Sequence, residues 1–278
     1  MVTRGLRDPR RTDPGQHNLD ECFSSYIRRC KSLDPAPQPQ QALPSSTILW
    51  IAQYLGTSTS KRIRVASDLI ILAFFFLLRV GEYTPSRQTR LTVPLRDKDL
   101  RLWRQGQVLD HRLPLAELLT ADAVTICLEN QKNGFKGATL HHTASQHPWL
   151  CPVKSAARLI HEIGGLGPDT GLGTYSDETG ALRRITSPEI RAGIQLGAIG
   201  DNLASRGYSL DRIGSHSLRS GGATHLHVLG FSPDTIKKMG RWNSDTYLRY
   251  IQSQIGDLTA GISAQMARVL HFHNVSTY

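Results

Sequence analysis

The chain has 278 residues, 39% of them hydrophobic and 20% charged, with 33 Lys and Arg against 23 Asp and Glu, for a formal net charge of +10. Its mean hydropathy is -0.29 and its longest apolar run, Leu69 to Leu78, is too short to span a bilayer, while the N-terminal MVTRGLRDPRRTDPG lacks the apolar core of a secretory signal. The basic excess draws polyanions at long range, and nucleic acid fits because each neutralised phosphate releases counterions; a solvated basic surface fits the charge equally well.

Residues 1–17 are polar and aperiodic and read as disordered. Asn18 to Leu33 forms a helix with Cys22, Phe23, Tyr26, Ile27 and Cys30 on one apolar face, which a single helix cannot bury alone. Asp34 to Pro44 (DPAPQPQQALP) is an extended linker. Ser45-Ser46-Thr47 caps a helix to about Leu55. Ser67-Asp68 caps a second, Leu69 to Arg79, which is apolar nearly all round and so is expected to be buried on every side. Arg79 ends that helix. An arginine there is costly unless an anion meets it, and Glu82, three residues on, is an internal partner.

Pro85 to Asp110 is irregular and basic, with room for short strands. Asp122 to His142 reads as a β-hairpin. Val124, Ile126 and Leu128 alternate with Thr125, Cys127 and Glu129, and Asn133-Gly134 is a two-residue turn signal. That turn sets Lys132 opposite Phe135 and Gln131 opposite Lys136, so Lys132 falls in phase with the core-facing residues and Lys136 on the other face. His141, His142, His147 and Cys151 lie close in sequence, but in no compact metal-ligand spacing, and adjacent strand residues point apart. No metal is expected. The four cysteines form no CxxC pair, which suits a reducing, intracellular compartment. CPVKSAARLIHEI is a helix with Pro in its first turn, Gly164 to Gly180 a long loop, and Ser187-Pro188-Glu189 another helix start, with a further helical stretch to Arg206.

In the last third, Ser215 caps a helix that carries His216 and Arg219 on one face, where free N–H groups and the helix dipole favour an anion. Gly221, Gly222 and Ala223 then allow another element to approach closely. Ser232-Pro233-Asp234 caps a short helix that Gly240 stops, and Asn243 to Asp245 start one carrying Tyr247 and Tyr250; Gly256 to His273 forms a last helix. Singly, each feature has a plain structural use: a surface His-Arg pair, a core Trp, half-buried tyrosines.

Their order is the specific signal. LLRVGEYT with Arg79, a hairpin lysine, SHSLRSGGAT with His216-x-x-Arg219, MGRW with Trp242, and RYI with Tyr250 resemble, as an ordered set, the catalytic residues of tyrosine recombinases (phage integrases). The wording of these motifs is most similar to the recombinases of eukaryotic mobile elements. The resemblance implies an α+β fold, mainly α, with a small antiparallel β-sheet: a catalytic domain over residues 45–278, preceded over residues 18–44 by a truncated helical remnant of a DNA-clamp domain and a linker. It also implies cofactor-free, metal-free cleavage and rejoining of double-stranded DNA through a 3′-phosphotyrosyl link. Tyr250 would be the nucleophile, with Tyr247 the alternative. Arg79 and Arg219 would hold the phosphate oxygens, with Glu82 orienting Arg79. Lys132, or alternatively Lys136, would protonate the departing 5′-oxygen. His216 would help move the tyrosine proton, and Trp242 would pack or hydrogen-bond at the phosphate. Such proteins act as dimers or tetramers on DNA, away from membranes, and in the nucleus when eukaryotic. Two other readings share these residues: a non-catalytic, domesticated DNA-binding relative, and a type IB topoisomerase-like relaxing enzyme.

Overall fold

A computed structural model of the chain describes residues 40–85, 92–130 and 136–248, together with Tyr26 and Arg29. The helices expected over residues 18–33 and 256–273 therefore fall outside the described residues, except that Tyr26 and Arg29 are helical and exposed. The chain divides into two units between residues 39 and 40. In the second, the elements are α1 (Ser45–Trp50), continuing as a wider π-helical turn over Ile51–Leu55, α2 (Lys61–Phe75), β1 (Leu100–Arg104), β2 (Gln107–Val108), α3 (Leu115–Leu118), β3 (Ala123–Asn130), β4 (Lys136–Thr143), α4 (Pro152–Ile163), β5 (Thr174–Ser176), β6 (Leu182–Arg184), α5 (Ser187–Gly200), α6 (Ser215–Val228) and α7 (Pro233–Gly240). No helix among the described residues is long and apolar enough to cross a membrane.

Helix α2 is the axis of the core. Every residue from Val65 to Phe74 is buried, and α4, α5 and α6 all pack on it. Each fully buried Leu, Ile or Phe side chain contributes about 1.5–3 kcal/mol, so this helix anchors the domain. It begins at Lys61, not at the expected Ser67-Asp68 cap. Asp68 instead lies inside the helix, 5% exposed, where Arg158 of α4 donates to both of its oxygens (Nε to Oδ1 3.0 Å and to Oδ2 2.9 Å). Burial raises the Asp68 pKa, and Arg158 pulls it back down. A carboxylate in that position reads locally as a cap; only its distant partner makes it an interior residue. Similarly, Ser46 and Thr47 do not cap α1. Their hydroxyls donate to Asp201 at 2.8 and 2.6 Å, tying α1 to the end of α5.

The sheet has strand order β2-β1-β3-β4 and is antiparallel throughout. Leu100, Leu102, Val124, Ile126, Leu128 and Leu140 are buried, as the two-residue period demands. The hairpin register differs from expectation by one residue. Leu128 faces Ala138 and Asn130 faces Lys136, whereas a two-residue turn would set Gln131 opposite Lys136. The last pair in the ladder is thus Asn130 with Lys136, and a one-residue shift exchanges the faces. Position 136 is then in phase with the core-facing positions 126 and 128, so the contrast that favoured Lys132 over Lys136 is lost. Lys132 itself lies outside the described residues. His141 and His142 do diverge: Thr125 bonds His141, while His142 stacks edge-on against Phe76, its Nε2 2.9 Å from the Phe75 carbonyl. A carbonyl only accepts, so Nε2 carries the proton.

The loop expected over Gly164 to Gly180 contains β5, which pairs with β6. Helix α4 starts at Pro152, and α5 at Ser187 with a Thr186–Glu189 capping box. Within the expected linker, Gln41 and Leu43 are bound to the domain: their N–H groups donate to Arg212 O and Ser217 O, and Leu43 is 1% exposed.

Two glycines of α6 admit this packing. A Cβ on Gly221 would overlap the Leu43 backbone, and one on Gly222 the Phe74 carbonyl and the Leu77 side chain. Gly221→Ala is therefore expected to lower unfolding stability by about 3 kcal/mol, the upper part of the range for overpacking, since its neighbour is backbone and cannot rotate aside. Urea denaturation measures this; a loss under about 0.5 kcal/mol would mean that the 40–43 segment yields freely.

Candidate active site

The site forms at the C-terminal end of α2. The helix does not run on to Arg79; it ends at Phe75, and the chain reverses in a helix-terminating motif with Leu78 N–H on Ala73 O (2.9 Å) and Leu77 in the left-handed region at φ 49. Glycine usually takes that position. A leucine there costs about 1–2 kcal/mol, and such strain gathers where surrounding bonds over-determine the backbone. Here the Leu77 carbonyl accepts from two arginines, Arg219 Nη1 and Arg241 Nη2.

Past the reversal, Arg79 is extended and opens a short 3-10 turn, Val80–Glu82. Its backbone N–H donates to Glu82 Oε2 at 2.8 Å and its Nη1 to Glu82 Oε1 at 3.0 Å. The expected Arg79–Glu82 pair exists, through a capping turn and not along a helix face. Glu82 is 1% exposed and the Arg79 side chain 24%.

Helix α6 brings in His216 and Arg219. Gly214, not Ser215, precedes its first turn, and the Gln40 side-chain oxygen accepts the His216 N–H at 3.1 Å. His216 sits at the rim with one side open to solvent. Its pKa is lowered, first by desolvation of the ring and then by the Arg219 and Arg79 charges, so both guanidiniums act on it. Arg219 is 1% exposed. It donates to the carbonyls of Leu77 and Gly240 and lies 4.2 Å from the centroid of the Trp242 ring, a cation–π contact. The two-oxygen grip on an outside anion expected of Arg219 is thus not its present arrangement, because both terminal nitrogens point to backbone carbonyls.

Helix α7 ends differently from expectation as well. Gly240 is its last helical residue, and Arg241 takes the left-handed position at φ 55. Gly240 is needed for another reason: a Cβ there would overlap the Trp242 ring. Tyr247 lies in a 3-10 turn (Asp245–Tyr247), 2% exposed, its ring 5.9 Å from that of Trp242 and packed with Ala223 and Ile236. Tyr250 lies outside the described residues.

The structure therefore brings together Arg79, Glu82, His216, Arg219 and Trp242, from segments 142 residues apart in the case of Leu77 and Arg219. It adds Arg241, which sequence reading passed over although the quoted MGRW motif contains it; its only local signal was a cation directly after a helix-ending glycine. Arg79 and Arg241 share the one buried carboxylate, Glu82, and Arg219 and Arg241 share the Leu77 carbonyl; with three cations to one anion, the site favours an anion. Among the described residues, no group of three or more His, Cys, Asp or Glu is arranged to hold a metal.

No protein-family model matches the sequence, and no curated protein does. Among solved structures, the chain is similar to the XerH site-specific recombinase bound to palindromic difH substrate in a post-cleavage complex, at 15% identity over 82% of this chain and 54% of that one, with a TM-score of 0.51. It is also similar to XerA recombinase, at 13% identity over 85% and 68% with a TM-score of 0.49. The Tn1549 transposon integrase in complex with transposon right end DNA matches at 12% over 86% and 70%, with a TM-score of 0.46. The chain spans about half the length of the XerH chain. At such identity the XerH likeness establishes fold: mainly α with a small antiparallel sheet, the architecture that the motifs implied for a tyrosine-recombinase catalytic domain.

Proposed function

We propose that this chain is a DNA strand-cleaving and -rejoining enzyme of the tyrosine-recombinase type, with residues 45–278 as its catalytic domain and double-stranded DNA as its substrate. The observation that carries the reading is the convergence of Arg79, Glu82, His216, Arg219 and Trp242 on the end of α2, in a fold shared with a site-specific recombinase. The affinity to eukaryotic mobile-element recombinases rests on the wording of the motifs alone.

In this mechanism the Tyr250 oxygen attacks a backbone phosphorus and the bond to the 5′-oxygen breaks, leaving a 3′-phosphotyrosyl link. Lys132 or Lys136 protonates the departing oxygen. Arg79 holds a phosphate oxygen as charge develops. Arg219, behind it, contributes positive potential and the backbone geometry. His216 takes the tyrosine proton, as a neutral imidazole can. Attack of a 5′-hydroxyl on the phosphotyrosine reverses the step, and the link conserves the bond energy.

The test uses an end-labelled duplex nicked close to the cleaved phosphate, so that the short piece bearing the released 5′-hydroxyl diffuses away and the labelled strand accumulates as the covalent adduct. A labelled, protease-sensitive protein band on a denaturing gel is the expected result. A second reading, DNA binding without cleavage, gains support from the engaged, buried head of Arg219. Salt-dependent binding with no adduct on any nicked duplex would favour it.

The His216 pKa lies below its ordinary value of 6.5, so the ring is neutral at pH 7. Acidification protonates it and removes the base. Adduct formation is expected to fall along an acidic limb with an apparent pKa below 6.5 and to lose that limb in His216→Gln, with a rate lower by roughly 10²-fold at pH 7. The linkage has the same sign. The unfolded chain binds this proton near 6.5 and the folded chain only below it, so this group also lowers stability as pH falls. Pre-steady-state rates from pH 5 to 8 measure the limb.

A further inference from the structure

Glu82 is held from two sides, and the second holder is Arg241. Arg241 Nη2 donates to Glu82 Oε2 at 2.8 Å, and its Nη1 and Nη2 donate to the carbonyls of Phe76 and Leu77, each at 3.1 Å. Arg241 is 9% exposed. Burial lowers its pKa, Glu82 raises it, and the Arg79 charge lowers it again. Two cations therefore share one buried carboxylate. A non-glycine residue at φ 55 persists only where its surroundings fix it, and here the fixed head joins the reversal after α2 to Glu82.

We propose that Arg241 is a positioning residue for Arg79. Together with the Arg79 backbone N–H, it holds Glu82 Oε2 against the end of α2, leaves Glu82 to meet the Arg79 guanidinium at Oε1, and so keeps the Arg79 head presented to a phosphate. Without Arg241, Oε2 keeps only the Arg79 backbone N–H and turns its remaining acceptor capacity to the Arg79 guanidinium, and the two close into a two-nitrogen fork that neutralises the cation the site needs. The proposal rests on reading Arg79 as the phosphate holder.

The test follows the Arg79 side-chain Hε–Nε signal by NMR in the full chain labelled with ¹⁵N-arginine, the signal being assigned by its loss in Arg79→Lys. Inorganic phosphate is the probe. The parent, Arg241→Met, Glu82→Gln and the double variant are compared at a temperature where circular dichroism shows each folded. The Arg79 signal of the parent is expected to move with phosphate. Arg241→Met should weaken that response at least about fivefold, but change it less than about twofold when Glu82 is already Gln, because residues acting through one another are non-additive. Arg241→Lys is the second variant. It keeps the buried charge and the fold, yet cannot span the carboxylate and both carbonyls, and should show the same displaced Arg79 signal. An Arg79 signal indifferent to phosphate in the parent, or unaltered in both Arg241 variants, overturns the proposal, as do losses that multiply independently in the double variant. The nicked-duplex assay on the same proteins separates this proposal from the cleavage reading. Coupling without adduct sinks cleavage and upholds the positioning role; adduct without coupling does the reverse.

Discussion

Tyr250→Phe is expected to abolish the covalent protein–DNA adduct, lowering its rate of formation by at least about 10³-fold, whereas Tyr247→Phe should stay within roughly fivefold of the parent. The two tyrosines are three residues apart, and the sequence alone made either a candidate. The structure describes the setting of Tyr247. Tyr247 is 2% exposed and packs with Trp242, Ala223 and Ile236, so its ring is part of the small core that supports Trp242. A nucleophile has to reach a phosphate brought by solvent-borne DNA, and a phenol in that core would first have to unpack it. Phenylalanine at 247 keeps the ring and gives up only the hydroxyl; at 250 it gives up the atom proposed to attack. Labelled nicked duplex on denaturing gels reads both variants. An adduct of normal yield in Tyr250→Phe would remove that residue from the role. Loss of adduct in a well-folded Tyr247→Phe would transfer the role to Tyr247.

The parts of this molecule that were legible in sequence are those written locally. The Cys151-Pro152 helix start, the Ser187-Pro188-Glu189 helix start and the alternation of β3 each follow from neighbours within a few residues and stand where expected; the apolar helix is buried as expected, although its ends lie at Lys61 and Phe75 instead of Leu69 and Arg79. The failures share a cause: a partner far away in the chain. Asp68 looks like a cap because Arg158, 90 residues on, is invisible to local reading. The place of Arg79 beyond the helix depends on a left-handed leucine whose carbonyl is bound by Arg219 and Arg241. In the hairpin, the Asn-Gly signal fixed a register that the observed pairing corrects by one residue. For the site, chain order was informative where single residues were not. It selected Arg79, Glu82, His216, Arg219 and Trp242, which do meet, and passed over Arg241, whose role exists only once Glu82 and the end of α2 are beside it.

Arg219→Lys and Arg219→Met should both lose adduct formation by about 10²–10³-fold, and the lysine variant decides why. If Arg219 served by charge alone, an ammonium would largely replace it. The structure gives the guanidinium a second task. Its two terminal nitrogens bind the carbonyls of Leu77 and Gly240, and its plane lies against Trp242. These contacts fix the end of α2, the end of α7 and the tryptophan relative to one another, and a single ammonium cannot make all three. After substitution, the Leu77 carbonyl keeps Arg241 as a donor, but the Gly240 carbonyl loses the Arg219 donor. An unsatisfied buried carbonyl costs about 1–3 kcal/mol, which for a domain of this size lowers the melting temperature by roughly 2–10 °C. Both variants are therefore expected to remain folded at 25 °C, so that the lost cleavage reports on the site and not on unfolding. Thermal melts and adduct rates on the same preparations settle it. Cleavage by Arg219→Lys within about fivefold of the parent would reduce Arg219 to a buried charge and leave the alignment of Trp242 and Leu77 to Arg241.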